Sequence, residues 1–312
     1  MTTGERLEHW RANGVITEAQ HVTLSEIVRR DRFSVFVELN AILYLGVISV
    51  VAGIGWTFRD YVANLGDATI LAILSLLMIV SFGYCFLRGP AYSNDEVESP
   101  SFAFDYILYF ACLVLSATLA FIETRFEIFH AWEIHLLIAS IVFGVLAYRF
   151  DNRLVLSLAL STLAGYLGLR LSIFDMRDDL VSALAIAYGS FLLGIGWLLY
   201  RLGIKRHFLD SYLHLGANAI FLATVYGSID GANAYLYLGA LLVLAAAAIY
   251  LGIRYRRFAF VAYGTLYGYA GLSIRVLDVV DGTTQGLAYL AITGSMLVIA
   301  LVVLARRFGR VE

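Results

Sequence analysis

The chain has 312 residues, 61% of them hydrophobic and 15% charged, and its formal net charge is −2. Soluble domains average about 45–50% apolar and about 25% charged residues, so this composition, with a mean hydropathy of +0.80, excludes that class. A soluble helical protein would also need charged faces between its apolar stripes, and those are missing.

Residues 1–39 are the polar part. They hold Glu5, Glu8, Glu18, Glu26 and Asp31 and no apolar core long enough for a cleavable signal peptide. The first membrane span is therefore expected to act as the insertion signal. Thr2 and Glu5 have capping-box spacing, as do Thr17 and Gln20. Leu7 and Trp10 share a face of a first helix that Asn13-Gly14 stops. Leu24, Ile27 and Val28 form the stripe of a second. The pattern predicts a cytoplasmic helical hairpin. Acidic residues offset Arg29, Arg30 and Arg32, which argues against a DNA-reading helix-turn-helix. Docking on the membrane surface or on a protein partner fits better, and no nucleic-acid partner is expected.

From residue 40 onward, apolar runs of about 20 residues recur, each long enough to cross a ~30 Å hydrocarbon core. They predict an all-α polytopic bundle with ten spans, at 40–58, 66–87, 102–122, 131–149, 153–174, 180–201, 207–229, 232–252, 257–277 and 284–305. The chain then divides into a hairpin, 1–39, and a transmembrane domain, 40–312. Cys85 and Cys112 fall inside spans and read as buried packing rather than a disulfide framework. Seventeen of the 22 Arg and Lys residues lie on one side of the predicted bundle and five on the other: Arg59, Arg125, Arg170, Arg177 and Arg275. The positive-inside rule places both termini in the cytoplasm. Pro90 and Pro100 lie in the acidic loop 89–101, which composition predicts to be flexible.

Thr162-Leu-Ala-Gly-Tyr-Leu-Gly-Leu169 recurs as Thr265-Leu-Tyr-Gly-Tyr-Ala-Gly-Leu272, with six of eight positions identical at an offset of 103. Asp105 and Asp210 align at 105, and Ala72 and Gly83 align with Ala185 and Gly196 at 113. We read a duplicated four-helix unit, about 66–174 and 180–277, flanked by spans 40–58 and 284–305. Four crossings preserve orientation, so the two copies are parallel. Gly165, Gly168, Gly268 and Gly271 are expected at close helix contacts, where a missing side chain lets backbones approach. The other reading is a solute passing bare backbone.

Candidate chemistry is sparse. Asp210, His214 and Asn218, spaced i, i+4 and i+8, share one helix face. Asp105 and Tyr109 take the equivalent places in the first copy. Such groups inside a membrane mark a solute or proton site, or else anchor helix ends beside Arg88, Lys205 or Arg206. Tyr263, Tyr267 and Tyr269 either line a polar passage or pack with their hydroxyls bonded to neighbours. Glu123, Glu127, His130, Glu133 and His135 cluster in one outer loop. Such groups can bind a divalent metal, but the order matches no zinc-enzyme signature, and a solvated acidic rim is the alternative. No cofactor is expected.

Leu7-Glu-His-Trp10, Gly14-Val-Ile-Thr17-Glu-Ala-Gln20, Tyr44-Leu-Gly46 with Ala52-Gly-Ile-Gly55, and Ala147-Tyr-Arg-Phe-Asp151-Asn-Arg153 through Gly165 resemble the prokaryotic membrane-protein family called domain of unknown function 2157. The resemblance implies a multi-pass protein of the bacterial inner membrane and supplies no activity or catalytic residues. The leading expectation is a non-enzymatic scaffold or regulator. A small-solute or proton-coupled transporter is the alternative, and an intramembrane enzyme the third.

Overall fold

The computed structural model describes residues 66–128, 131–173, 178–229, 233–280 and 282–309, with shorter runs between 8 and 53. The chain forms two compact units, Met1–Phe58 with Gly309–Glu312, and Arg59–Phe308.

In the first unit, Gly14 adopts φ +69° at the end of a helical turn. The amide of Val15 reaches back to the Trp10 carbonyl and that of Gly14 to Arg11, closing the helix as a glycine stop does. Thr17 and Gln20 then exchange bonds reciprocally: the Thr17 amide donates to Gln20 Oε1 at 2.9 Å, and the Gln20 amide to Thr17 Oγ1 at 3.3 Å. This is the capping box that the spacing predicts. Thr2, Glu5, Leu7, Leu24, Ile27 and Val28 lie outside the described residues.

The regular structure of the second unit's described residues is all helical. Its helices are α1 (Asp67–Arg88), α2 (Phe102–Phe126), α3 (Ile134–Phe150), α4 (Arg153–Ile173), α5 (Asp178–Leu202), α6 (Leu209–Gly227), α7 (Ala234–Arg254), α8 (Phe258–Val279) and α9 (Thr283–Gly309), with a 3-10 turn at Arg206–Phe208. They fall on the predicted spans from the second to the tenth. The first, 40–58, lies mostly outside the described residues, though 45–50 is helical. Among the described residues, five helices are long and apolar enough to cross a membrane: α1, α2, Leu180–Leu202 of α5, α7, and Thr283–Ala305 of α9. Large apolar side chains stay exposed on their outer faces, among them Leu76, Ile79, Leu236, Val243 and Ile299, as hydrocarbon contact requires.

Local chemistry sets the ends. α1 carries Asp67 in its first turn and Arg88 in its last, both signs favourable to the helix dipole. It stops at Gly89-Pro90, since proline neither donates nor tolerates a helical predecessor. Ser101 caps α2 by accepting from the Phe104 amide at 3.2 Å. Asn152 caps α4 by accepting from the Val155 amide at 2.9 Å.

One core joins α1 to α6 through Cys85, Phe104, Leu108, Phe143, Leu156, Leu192 and Tyr212. A smaller one joins α6 and α7 through Phe221, Leu241 and Ala245. Cys85 and Cys112 are buried and free.

The helix pairs repeat. α1 packs on α2 as α5 packs on α6, and α3 on α4 as α7 on α8. The turns match as well: Asp151 (φ +57°) and Arg256 (φ +54°) each sit two residues before the next helix. By that register, position 151 corresponds to 256, an offset of 105, whereas the glycine signature matches at 103. Two residues are about 200° around a helix at 3.6 residues per turn, so the same letters face different sides. On α8, a Cβ on Gly264 would lie 2.5 Å from the Ala245 carbonyl oxygen, one on Gly268 3.3 Å from Ala245 Cβ, and one on Gly271 against Leu241. On α4, a Cβ on Gly165 would meet Leu136 at an ordinary 3.6 Å, and one on Gly168 nothing within 4 Å. A second close backbone approach lies outside this pattern, where Gly189 of α5 and Gly216 of α6 face each other's carbonyl oxygens, at 2.6 and 2.8 Å from a Cβ placed on each.

Candidate functional site

Asp210, His214 and Asn218 lie along one face of α6, and α8 meets each of them. The Arg257 guanidinium donates to Asp210 Oδ1 at 2.7 Å. The Tyr263 hydroxyl is 3.2 Å from His214 Nδ1, and the ring of Phe260 stacks on the imidazole at 5.3 Å. The Tyr267 hydroxyl donates to Asn218 Oδ1 at 2.7 Å, while Asn218 Nδ2 donates to the His214 carbonyl. The result is a polar seam a little over two turns long that joins two helices. Tyr269 bonds Thr293 of α9 at 2.8 Å, and Ser273 and Tyr289 pair at 3.2 Å.

Two expected partnerships differ. Asp210 pairs with Arg257 rather than Lys205 or Arg206, because Lys205 is turned inward. Asp105 accepts from Asn152 Nδ2 at 2.9 Å, where Arg88 was expected. The two acids are nonetheless used alike: each bonds the residue just before the fourth helix of its unit, 47 positions along. Tyr109, one turn on from Asp105, is buried in the core.

The densest charge cluster is one that the sequence reading missed. Asp151, at the α3–α4 turn, accepts from Lys205 Nζ at 3.1 Å and meets His207 Nε2 at 2.5 Å, both on Oδ1. Its Oδ2 accepts from the Val97 amide. The side chains are 2%, 1% and 10% exposed in that order. The Lys205 ammonium also lies 5.3 Å from the centre of the Tyr92 ring. Both Asp151 and Lys205 (φ +46°) hold left-handed backbone, a costly conformation for residues with a Cβ that persists where surrounding contacts demand it. Around them Arg149 donates to the Pro90 carbonyl, Arg153 pairs with Glu96 at 2.6 Å, and the Lys205 amide donates to Asn94. Loop 89–101, expected to be flexible, is thus tied at five points to the α3–α4 and α5–α6 turns. Chemically, this is a clamp: one carboxylate holds a fixed cation, a titratable ring and a loop amide together.

At the opposite end, the three described arginines also pair. Arg125 meets Asp67 at 2.9 Å, Arg170 meets Glu133 at 2.5 Å, and Arg275 bonds the Ser228 carbonyl and Asp278. His135 Nδ1 bonds the Trp132 carbonyl. Glu123 is buried and Glu127 exposed, and His130 lies outside the described residues. Among the described residues, no three of the acidic, histidine and cysteine side chains are grouped to hold a metal.

Helices of this length and apolarity, with polar groups paired across helices and charges gathered at both ends, define an integral membrane helix bundle. Residues 8–156 match the family described as Predicted membrane protein (DUF2157). The resemblance is therefore shown over this segment, which stops early in α4 and includes Asp105 and Asp151 but not Lys205, His207 or the α6–α8 seam. No curated protein and no solved structure matches the chain.

Proposed function

We propose that this is a non-enzymatic multi-pass scaffold or regulator of the bacterial inner membrane. It crosses the bilayer ten times, with both termini in the cytoplasm and the hairpin 1–39 as a docking element for a protein partner. The domain division at residue 39 and the parallel four-helix units belong to the same reading. The paired turns and the matched Asp105–Asn152 and Asp210–Arg257 bonds support the duplication at an offset of 105.

The observation that carries the scaffold reading is the α6–α8 seam. Asp210, His214 and Asn218, the groups a transporter would offer to a solute or proton, are bonded to Arg257, Tyr263 and Tyr267. Polar groups paired across two helices in this way join them. The transporter alternative assigns the same ring, His214, to proton movement. Proteoliposomes enclosing a pH-sensitive dye separate the two. The scaffold reading expects proton leak equal to that of empty vesicles for wild type and for His214→Gln. A leak in wild type that His214→Gln abolishes would establish the transporter instead.

A further inference from the structure

Between α4, α5 and α6, at the end away from the arginine-rich turns, lies a cavity of about 810 Å³. Leu167 and Gly168 line it from α4, Ser182 and Phe191 from α5, and Leu222 and Ala223 from α6. The volume is that of a small-molecule site, typically ~300–1,000 Å³. Its walls are almost wholly apolar. Tyr188 also lines it, but that hydroxyl donates to the Leu160 carbonyl at 2.7 Å. Ser182 is different. It is 1% exposed, and its hydroxyl has no hydrogen-bond partner among the described residues.

A buried hydroxyl without a partner is costly, and water is a poor remedy here, since an ordered water makes about three hydrogen bonds. The arrangement is also polarised along the helix axis. Ser182 lies one turn into α5, roughly 6 Å from its start, and the apolar wall continues to Phe191, about 14 Å deeper at 1.5 Å per residue. That depth is about half of a ~30 Å hydrocarbon core, or one leaflet. A polar acceptor is thus called for near the membrane surface, with hydrocarbon below it.

We propose that this cavity is a binding site for one acyl chain of a membrane phospholipid, with the ester carbonyl accepting the Ser182 hydrogen bond. The chain lies against Gly168, whose missing side chain leaves the room it needs.

The test uses the full-length protein in phosphatidylethanolamine vesicles containing a phospholipid with a photoactivatable diazirine in one acyl chain. Wild type is expected to be labelled mainly within residues 163–168 and 181–191. Gly168→Leu, which fills the cavity where nothing else is met, should lower that labelling about tenfold. Ser182→Ala should lower it about threefold to tenfold, the worth of one hydrogen bond. An ether-linked analogue, lacking the carbonyl, should label wild type as weakly as the ester labels Ser182→Ala, a comparison that requires no cavity-filling variant. Labelling spread evenly over the outer faces of α7 and α9, or unchanged with Gly168→Leu or the ether lipid, would overturn the assignment. A free fatty acid that displaces the probe while added phospholipid does not would also overturn it.

Discussion

The Lys205 ammonium lies 3.1 Å from the Asp151 carboxylate, with both side chains almost wholly removed from solvent. A pair of this kind gains little over an apolar replacement, but removing one partner strands the other charge, which costs about 3–5 kcal/mol. Asp151→Asn should therefore lower thermal stability in detergent by that amount. The double variant Asp151→Leu with Lys205→Met should recover most of it. A wild-type melting curve for Asp151→Asn would show that the pair does not hold the loop.

Tyr267 and Asn218 test the seam. Interhelical hydrogen bonds in membrane proteins are worth about 0.6 kcal/mol on average and up to ~1.7 kcal/mol. Tyr267→Phe and Asn218→Leu should each fall in that range. A double-mutant cycle should give a coupling of similar size, and a coupling of zero would mean that the two side chains act independently.

The glycines divide by what they face. Gly264→Leu would drive a side chain into the Ala245 carbonyl and should cost about 1–3 kcal/mol through overpacking. Gly168→Leu meets open space and should stay within about 0.5 kcal/mol of wild type. The measurement is thermal stability of the two variants side by side. Equal losses would contradict the two-residue difference in register between α4 and α8.

Both cysteines should resist alkylation. Cys85 and Cys112 are 0% exposed, so a maleimide should leave the folded protein unlabelled in mild detergent and modify both thiols after denaturation. Mass spectrometry reads the result, and rapid labelling of either in the folded protein would contradict the core.

Orientation is open to reporter fusion. Fusions after residue 92 and at the C-terminus should both report cytoplasm. A periplasmic signal at either position would reverse the assignment of the arginine-rich end.

Helix positions were legible because the apolar runs recur with polar breaks between them and stops are written locally, as in Gly89-Pro90 and Ser101. The Thr17–Gln20 box was legible for the same reason. The Asp151 cluster was not, since its members come from two turns 56 residues apart and turns have no periodicity to read. Nearness in sequence misled for Asp210: Lys205 is five residues away, yet its αL backbone points it toward Asp151, and Arg257 closes the gap. The glycine signature misled in another way. Identical letters were matched, but a helix shows its face by angle from its own start, and Gly168 and Gly271 begin from different counts.

The order of synthesis gives the Asp151 cluster a history. Asp151 leaves the ribosome 56 residues before His207, which at about 5–20 residues per second is roughly 3–11 s. Through that interval α1 to α4 exist without Lys205 and His207, which close their arginine-rich end. Loop 89–101 then has only Arg149, Asp151 and Arg153 to hold it, without the Lys205 contacts to Asn94 and Tyr92. The newborn first half is therefore a distinct species, open at one end, and a protease added to ribosome-stalled chains of about 190 residues should cut at loop 89–101, where the finished protein resists.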